Sequence, residues 1–433
     1  MTKYMTHGAG LLDGGGMRGM ASLMRETFVS LRNRNFKLFF YGQTISNTGN
    51  WLTSVALTLL VLKVTESGFA VGVLAACQYG PILLFSAWAG TVADRFDKHA
   101  LLYATQGLEM AQSAGLAVFA FLPHPPLVGL YALALFGGIL LSLDNPLRRS
   151  FVSEMVAPED VPNAVVLYST TVNVARVFGP ALAGALIVSI GYGWCFTIDA
   201  LSYLAVLWSL YQMRTNELHR AAQAAVRGGS VREGLRYIRA TPVFLVNFIM
   251  LALIGTLTLN FTVTLPLFVT RSLGAADGVF TVLYSIFSVG AIAGSFLIAR
   301  REDISVRHVV AGAAAFGLAV LALSAAPNVW SAIGIAFFVG ASSVIYSTAT
   351  TTLIQVDARP EMRGRALALQ SVFFIGSTAI GGPALGYLAD VAGGRMPLVV
   401  GGVVCLAAAA YGAYAMHEGI LGPGEINAVN AGG

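Results

Sequence analysis

Four ionisable residues stand where their neighbours are apolar or small. Arg176 lies in NVARVFGPALAG (173–184), and Glu109, Asp144 and Asp199 occupy comparably apolar runs. An arginine keeps its charge at any physiological pH, so a carboxylate that moves toward or away from it changes its proton affinity. Such an alternation takes up and releases protons. The same residues can instead form a permanent buried ion pair, which perturbs its members without any turnover. The sequence leaves both readings open.

The elements around these residues are set by composition. Of 433 residues, 56% are hydrophobic and 11% charged, with a mean hydropathy of +0.72; soluble chains carry about 25% charged residues. Apolar windows of roughly 20 residues, each able to cross about 30 Å of hydrocarbon as a helix, recur between 38 and 415. An all-α polytopic membrane protein with twelve spans is expected. Five sections follow: an amino-terminal tail (1–37), six spans (38–212), a linker (213–242), six more spans (243–415) and a carboxy-terminal tail (416–433). The linker holds the amphipathic stretch SVREGLRYIRATP, with Val231, Leu235 and Ile238 directed to the membrane or the bundle.

With both termini cytoplasmic, 22 of the 26 lysines and arginines fall on the cytoplasmic side, and the outer loops hold Lys63, Arg271 and Arg395. The net charge of +5 therefore reports topology, and no nucleic-acid partner is inferred. The first 37 residues lack the apolar core of a secretory signal. Cys77, Cys195 and Cys405 lie in apolar spans without a CxxC pair, and no two histidines share a helix face at ligand spacing, so neither disulfide nor metal is expected. No GxxxxGK[ST] loop or spaced catalytic set is present, so no ATP, no cofactor and no enzymatic activity are expected.

Depth narrows the partners of Arg176. It lies roughly 20 Å from the cytoplasmic edge of the fifth span, with Glu109 and Asp199 near the midplane by the same rise; Asp144 is nearer the cytoplasmic edge. Insertion of such an arginine costs about 2.5 to 3.5 kcal/mol, so a partner or water must offset it. Glu109 and Asp199 are its first candidate partners and Asp144 the third.

The chain carries an internal repeat. APED (157–160) precedes GPALAG (179–184) as RPEM (359–362) precedes GPALG (382–386), at offsets of 202 and 203, and GTVADR from Gly90 parallels GSFLIARR from Gly294 at 204. Two related six-span halves follow. GTVADRFDKHALL (90–102) resembles the signature loop of the major facilitator superfamily at Gly90, Asp94, Arg95 and Lys98. GPALAG resembles that superfamily's antiporter motif. FYGQTISNTGNWL, DNPLRRSFVSEMV and RPEMRGRALAL resemble the branch of the enterobactin exporter and related drug–proton antiporters.

The resemblance implies a major facilitator fold and a cytoplasmic gate at Gly90, Asp94, Arg95 and Lys98, with Arg148 at a similar depth. It also implies hinge or packing points at Gly179, Pro180 and Gly184, partly repeated at Gly382 and Pro383. Gln43, Asn47, Asn50 and Ser54 share a face of the first span at spacings of four, three and four. With Asn260, Tyr346 and Gln370 they are the cavity candidates, alongside Gln355, Phe373 and Phe374.

The expected function is proton-coupled efflux of a small amphipathic organic compound, such as a drug or siderophore, by a monomer in a bacterial cytoplasmic membrane. A symporter for uptake and a transport-inactive scaffold or sensor are the alternatives.

Overall fold

The structure, a computed structural model, describes residues 28–219, 231–301 and 304–418, without the side chains of 86–88, 90, 91, 93–95 and 231. The described residues are helical, with no strand among them. Hydrocarbon offers backbone groups no partners, so each crossing segment must satisfy its own.

In the first half the helices are α1 (Arg34–Thr65), α2 (Gly68–Arg95), α3 (Lys98–Phe121), α4 (Leu127–Val152), α5 (Val161–Ile190) and α6 (Tyr192–Tyr211). The linker helix is α7 (Val231–Ala240). The second half has α8 (Pro242–Leu257) and α9 (Phe261–Leu267) in one crossing, then α10 (Asp277–Ala299), α11 (Val306–Ser324) and α12 (Val329–Asp357). It closes with α13 (Pro360–Ser371) and α14 (Thr378–Ala392) in one crossing, and α15 (Met396–His417).

Eleven of these crossings are long and apolar enough to span a membrane. The remaining helix, α3, is 24 residues long, about 36 Å at the helical rise. Its buried Gln106, Glu109 and Ser113 make it more polar than its neighbours, and it packs between α4 and α6.

Local sequence explains the starts and interruptions. Asn33 caps α1 by accepting from the backbone N–H groups of Asn35 and Phe36. Asn260 sits between α8 and α9 and donates to the carbonyls of Thr256 (2.7 Å) and Gly255 (3.3 Å), which the end of α8 leaves free. A π turn at Val372–Gly376 separates α13 from α14, before Pro383. Helix α5 runs unbroken through Pro180, whereas the eleventh crossing, like the seventh, is interrupted.

The seam between halves falls on the four helices that carry the repeated segments. Helix α2 packs on α14, and α5 on α10. Small residues allow the approach: a side chain at Gly72 would meet the backbone of Gly382 and Pro383, and one at Gly184 would meet Thr281. Gly290 and Gly294 lie against the backbone of Phe337 and Ala341 on α12, so that GxxxG pair packs within its own half. The linker helix also packs on the second half, Ile238 joining Phe244, Ile354 and Leu369; the side chain of Val231 lies outside the described residues.

Candidate functional site

Polar side chains gather inside the first half, where α1, α3 and α4 meet. Arg148 is 4% exposed and Asp144 1%, so the pair is out of water. Its guanidinium donates from Nη1 to Gln43 Oε1 (2.6 Å) and Asn47 Oδ1 (3.0 Å). Nη2 reaches Glu109 Oε2 at 3.3 Å, and Nε forms an ion pair with Asp144. Gln106 Nε2 donates to both carboxylates at 2.9 Å. Two carboxylates thus share one cation and one amide. With both ionised the cluster carries one surplus negative charge, and a single proton brings it to neutrality.

The Cα of Arg148 is four residues from the end of α4, whereas Glu109 is eleven residues into α3, a depth difference of roughly 10 Å. Helix direction closes that gap. Side chains lean toward the amino-terminal end of their helix; on α4 that is toward the bilayer centre and on α3 toward the face that carries the termini. The two side chains therefore converge. Arg148, expected at the cytoplasmic gate, pairs in this structure with Glu109 and Asp144.

Arg176 has a different setting from the one expected. None of Glu109, Asp144 and Asp199 pairs with it. Its guanidinium carbon lies 5.7 Å from the ring centre of Trp51, and Tyr79 and Tyr284 are within electrostatic reach. Its position on α5, at the seam with α10, turns it away from the α3–α4 interior. Asp199 is fully buried and accepts from Thr53 Oγ1 and Ser113 Oγ, both at 2.7 Å, and from Ser202 Oγ at 3.4 Å. Three hydroxyls from α1, α3 and α6 hold it without a cation.

Most of the expected cavity residues serve other purposes. Gln43 and Asn47 hold Arg148, and Asn50 accepts from Tyr203 Oη at 2.8 Å, so that face of α1 looks into its own half. Tyr346 is fully buried, packed against Gly312 of α11. Gln370 donates to Thr351 at 2.8 Å, tying α13 to α12. Gln355 is exposed, and Phe373 stacks edge-on against Phe248. A cavity of about 610 Å³ does lie between the halves, lined by Leu83, Ser142, Asn145, Arg149, Arg365 and Ile375 among others. Helix α4 serves both places: Asp144 and Arg148 face the buried cluster, while Asn145 and Arg149 line the cavity.

Opposite the termini, the halves are joined. Asp390 at the end of α14 meets the start of α2 and pairs with Arg271 at 2.7 Å, and Tyr192 Oη donates to Asp277 at 2.6 Å. The cavity lies toward the other face, where α13 diverges from α2. The side chains of Gly90, Asp94 and Arg95 lie outside the described residues. Lys98 pairs with Glu154 at 2.5 Å, a bond within the first half.

Gly179 packs against Trp51, so the antiporter-type motif brings α5 onto α1 as well as onto α10. The sequence reading missed Gln106, Thr53, Ser113 and Trp51; Gln106 had the clearest signal, three residues before Glu109 on the same face. The three cysteines are free.

This architecture, two six-helix halves joined along a small-residue seam around a central cavity, defines a multi-pass membrane protein of the major facilitator kind. The chain belongs to the transmembrane secretion effector family of that superfamily, whose pattern matches residues 25–419. It is 26% identical to the staphyloferrin A transporter of Staphylococcus aureus over 61% of this chain and 66% of that one. It is 26% identical to the enterobactin exporter of Salmonella choleraesuis over 82% and 85%. Other enterobactin exporters align over only 42% to 50% of their length. In fold it is similar to a bacterial homologue of the human lysosomal transporter Spinster in an inward-facing, occupied conformation, with a TM-score of 0.70, 16% identity, and 88% and 96% of the two chains covered.

Proposed function

We propose that the chain is a secondary active exporter that moves a small amphipathic organic compound outward in exchange for protons by alternating access. The observation that carries this reading is the cluster of Glu109, Asp144 and Arg148, two buried carboxylates on one cation, built on the helix that also lines the cavity. Motion of α4 against α3 changes how Arg148 is shared, and with it the affinity of the cluster for one proton. Occupancy of the cavity is thereby linked to proton binding without direct contact. Glu109 and Asp144 are the proton-carrying groups in this scheme and Asp199 a brace.

With cytoplasmic termini, the seam closed on the opposite face corresponds to a state open toward the cytoplasm, the side from which an exporter loads. Gly90, Asp94 and Arg95 at the cytoplasmic end of α2 form the latch that closes it in the other half of the cycle, and Asp94→Asn impairs that closure. The relatives' names, staphyloferrin A transporter and enterobactin exporter, support siderophore-like cargo and export. The protein acts as a monomer here, since each half finds its partner within the chain.

The test uses purified protein in sealed liposomes with an imposed pH gradient, enterobactin and staphyloferrin A as cargo, and a trapped pH indicator. Wild type is expected to move one of them uphill with counterflow of protons. Glu109→Gln is expected to allow downhill exchange alone. Proton counterflow unchanged in Glu109→Gln removes the coupling assignment, and no gradient-driven movement in wild type removes the exporter reading for these compounds.

A further inference from the structure

We propose that Arg176, together with Trp51, Tyr79 and Tyr284, binds the carboxylate of an amphipathic organic anion at the seam between the halves. The inference deepens the transport reading by naming the charge class of the cargo, and its test needs no proton gradient.

Arg176 differs from Arg148, Arg271 and Arg395, which are all held by acceptors. Arg148 is held by two carboxylates, Arg271 by Asp390, and Arg395 donates to the carbonyls of Ser324 and Ala326 at 2.6 and 2.9 Å. Arg176 Nε is buried with no hydrogen-bond acceptor, and among the described residues no carboxylate pairs with the guanidinium. Its contact is the Trp51 ring. A ring engages the face of a guanidinium, whereas its N–H donors point outward in the plane, in the fork that matches a carboxylate edge to edge. The face is occupied and the fork is unspent.

The surroundings supply the rest of a site. Trp51 and Tyr284 lie 6.0 Å apart between ring centres at 43°, one from each half. Tyr79 precedes the cavity-lining Ile82 and Leu83 by three and four residues, on one face of α2. These rings offer a surface for the apolar body of an amphipathic ligand. A second observation agrees on charge: the described residues lining the 610 Å³ cavity include Arg149 and Arg365 and no carboxylate, and of these two Arg365 is paired with Glu233 at 2.9 Å, so Arg149 carries the positive charge there. A cationic drug would meet repulsion at both places.

The site also senses the halves. Ser288 of α10 donates to the Arg176 carbonyl at 3.2 Å, so a change at this seam alters the ring pair around the guanidinium. Binding of an anion is in this way tied to the conformation of the seam.

The test measures equilibrium binding of radiolabelled 2-naphthoate, its neutral amide and 2-naphthylmethylammonium to the full-length protein in lipid nanodiscs. Wild type is expected to bind the acid about tenfold or more tightly than the amide, with the ammonium weakest. Arg176→Gln abolishes the preference for the acid, Arg176→Lys keeps part of it, and Trp51→Leu weakens acid and amide alike. Equal affinities for the three probes, a preference that survives in Arg176→Gln, or no saturable binding of the acid to wild type overturns the proposal. Acid-selective binding in a protein that moves no protons leaves this site standing and removes the coupling reading; proton-driven transport without acid selectivity does the reverse.

Discussion

Asp390 on α14 accepts the backbone N–H of Gly68 on α2 at 2.6 Å, so a carboxylate of one half caps a helix of the other. It also accepts from Ser67 Oγ and the Phe69 N–H, both at 2.9 Å, while Arg271 completes the ring of donors. The negative charge sits at the positive end of α2. Asp390→Asn retains the shape and removes the charge, with an expected loss of about 1 kcal/mol from the closed seam, a roughly fivefold shift toward separation of that face. Spin-label distances between the adjoining ends of α2 and α14 measure it; an unchanged distribution would show that packing alone holds the seam.

Removing the cation of the buried cluster has a larger effect. Arg148→Gln leaves Glu109 and Asp144 buried without their ion-pair partner, with an expected loss of about 3 to 5 kcal/mol. Adding Glu109→Gln to that variant removes one of the two carboxylates, and recovery of part of the melting temperature is expected. A double variant less stable than Arg148→Gln would contradict the sharing of one cation by two acids.

Asp199 is expected to behave differently from Glu109. Its three hydroxyl donors are neutral, so Asp199→Asn upsets the hydrogen bonding of Thr53, Ser113 and Ser202 and costs about 1 to 3 kcal/mol, while proton coupling persists. Melting curves beside the ratio of protons to cargo in liposomes separate the two roles. Loss of coupling without loss of stability would return Asp199 to the proton pathway.

Two glycines give a matched contrast. A Cβ at Gly72 meets the backbone of Gly382 and Pro383, whereas one at Gly107 has no neighbour within 4 Å. Gly72→Val is expected to force α2 from α14 and stop transport in a protein that still inserts, and Gly107→Ala to be neutral or stabilising by up to about 1 kcal/mol. Transport assays on equal amounts of inserted protein decide it, and normal transport by Gly72→Val would mean that the seam need not close.

The repeat was legible because close helix packing demands small residues at fixed heights, and such residues stand out in apolar runs. GTVADR, GSFLIARR, GPALAG and GPALG mark α2, α10, α5 and α14, the helices that form the seam. Hydrophobic length similarly placed the crossings. The polar face of α1 was legible as a face, and its destination was not: spacing groups Gln43, Asn47 and Asn50 on one side of a helix without saying which neighbour that side meets.

The sequence by itself determined a membrane-embedded, all-helical chain in two related halves, because the length and apolarity of each segment are local properties that the bilayer reads directly. Only the tertiary structure decided which charges meet. Arg148 and Arg176 both stand in apolar crossings, but α4 descends toward the termini face and α5 rises from it. Their side chains lean opposite ways, one into the cluster of Glu109 and Asp144 and the other toward Trp51 at the seam. That choice depends on helix direction and neighbour together, which no local run of residues records.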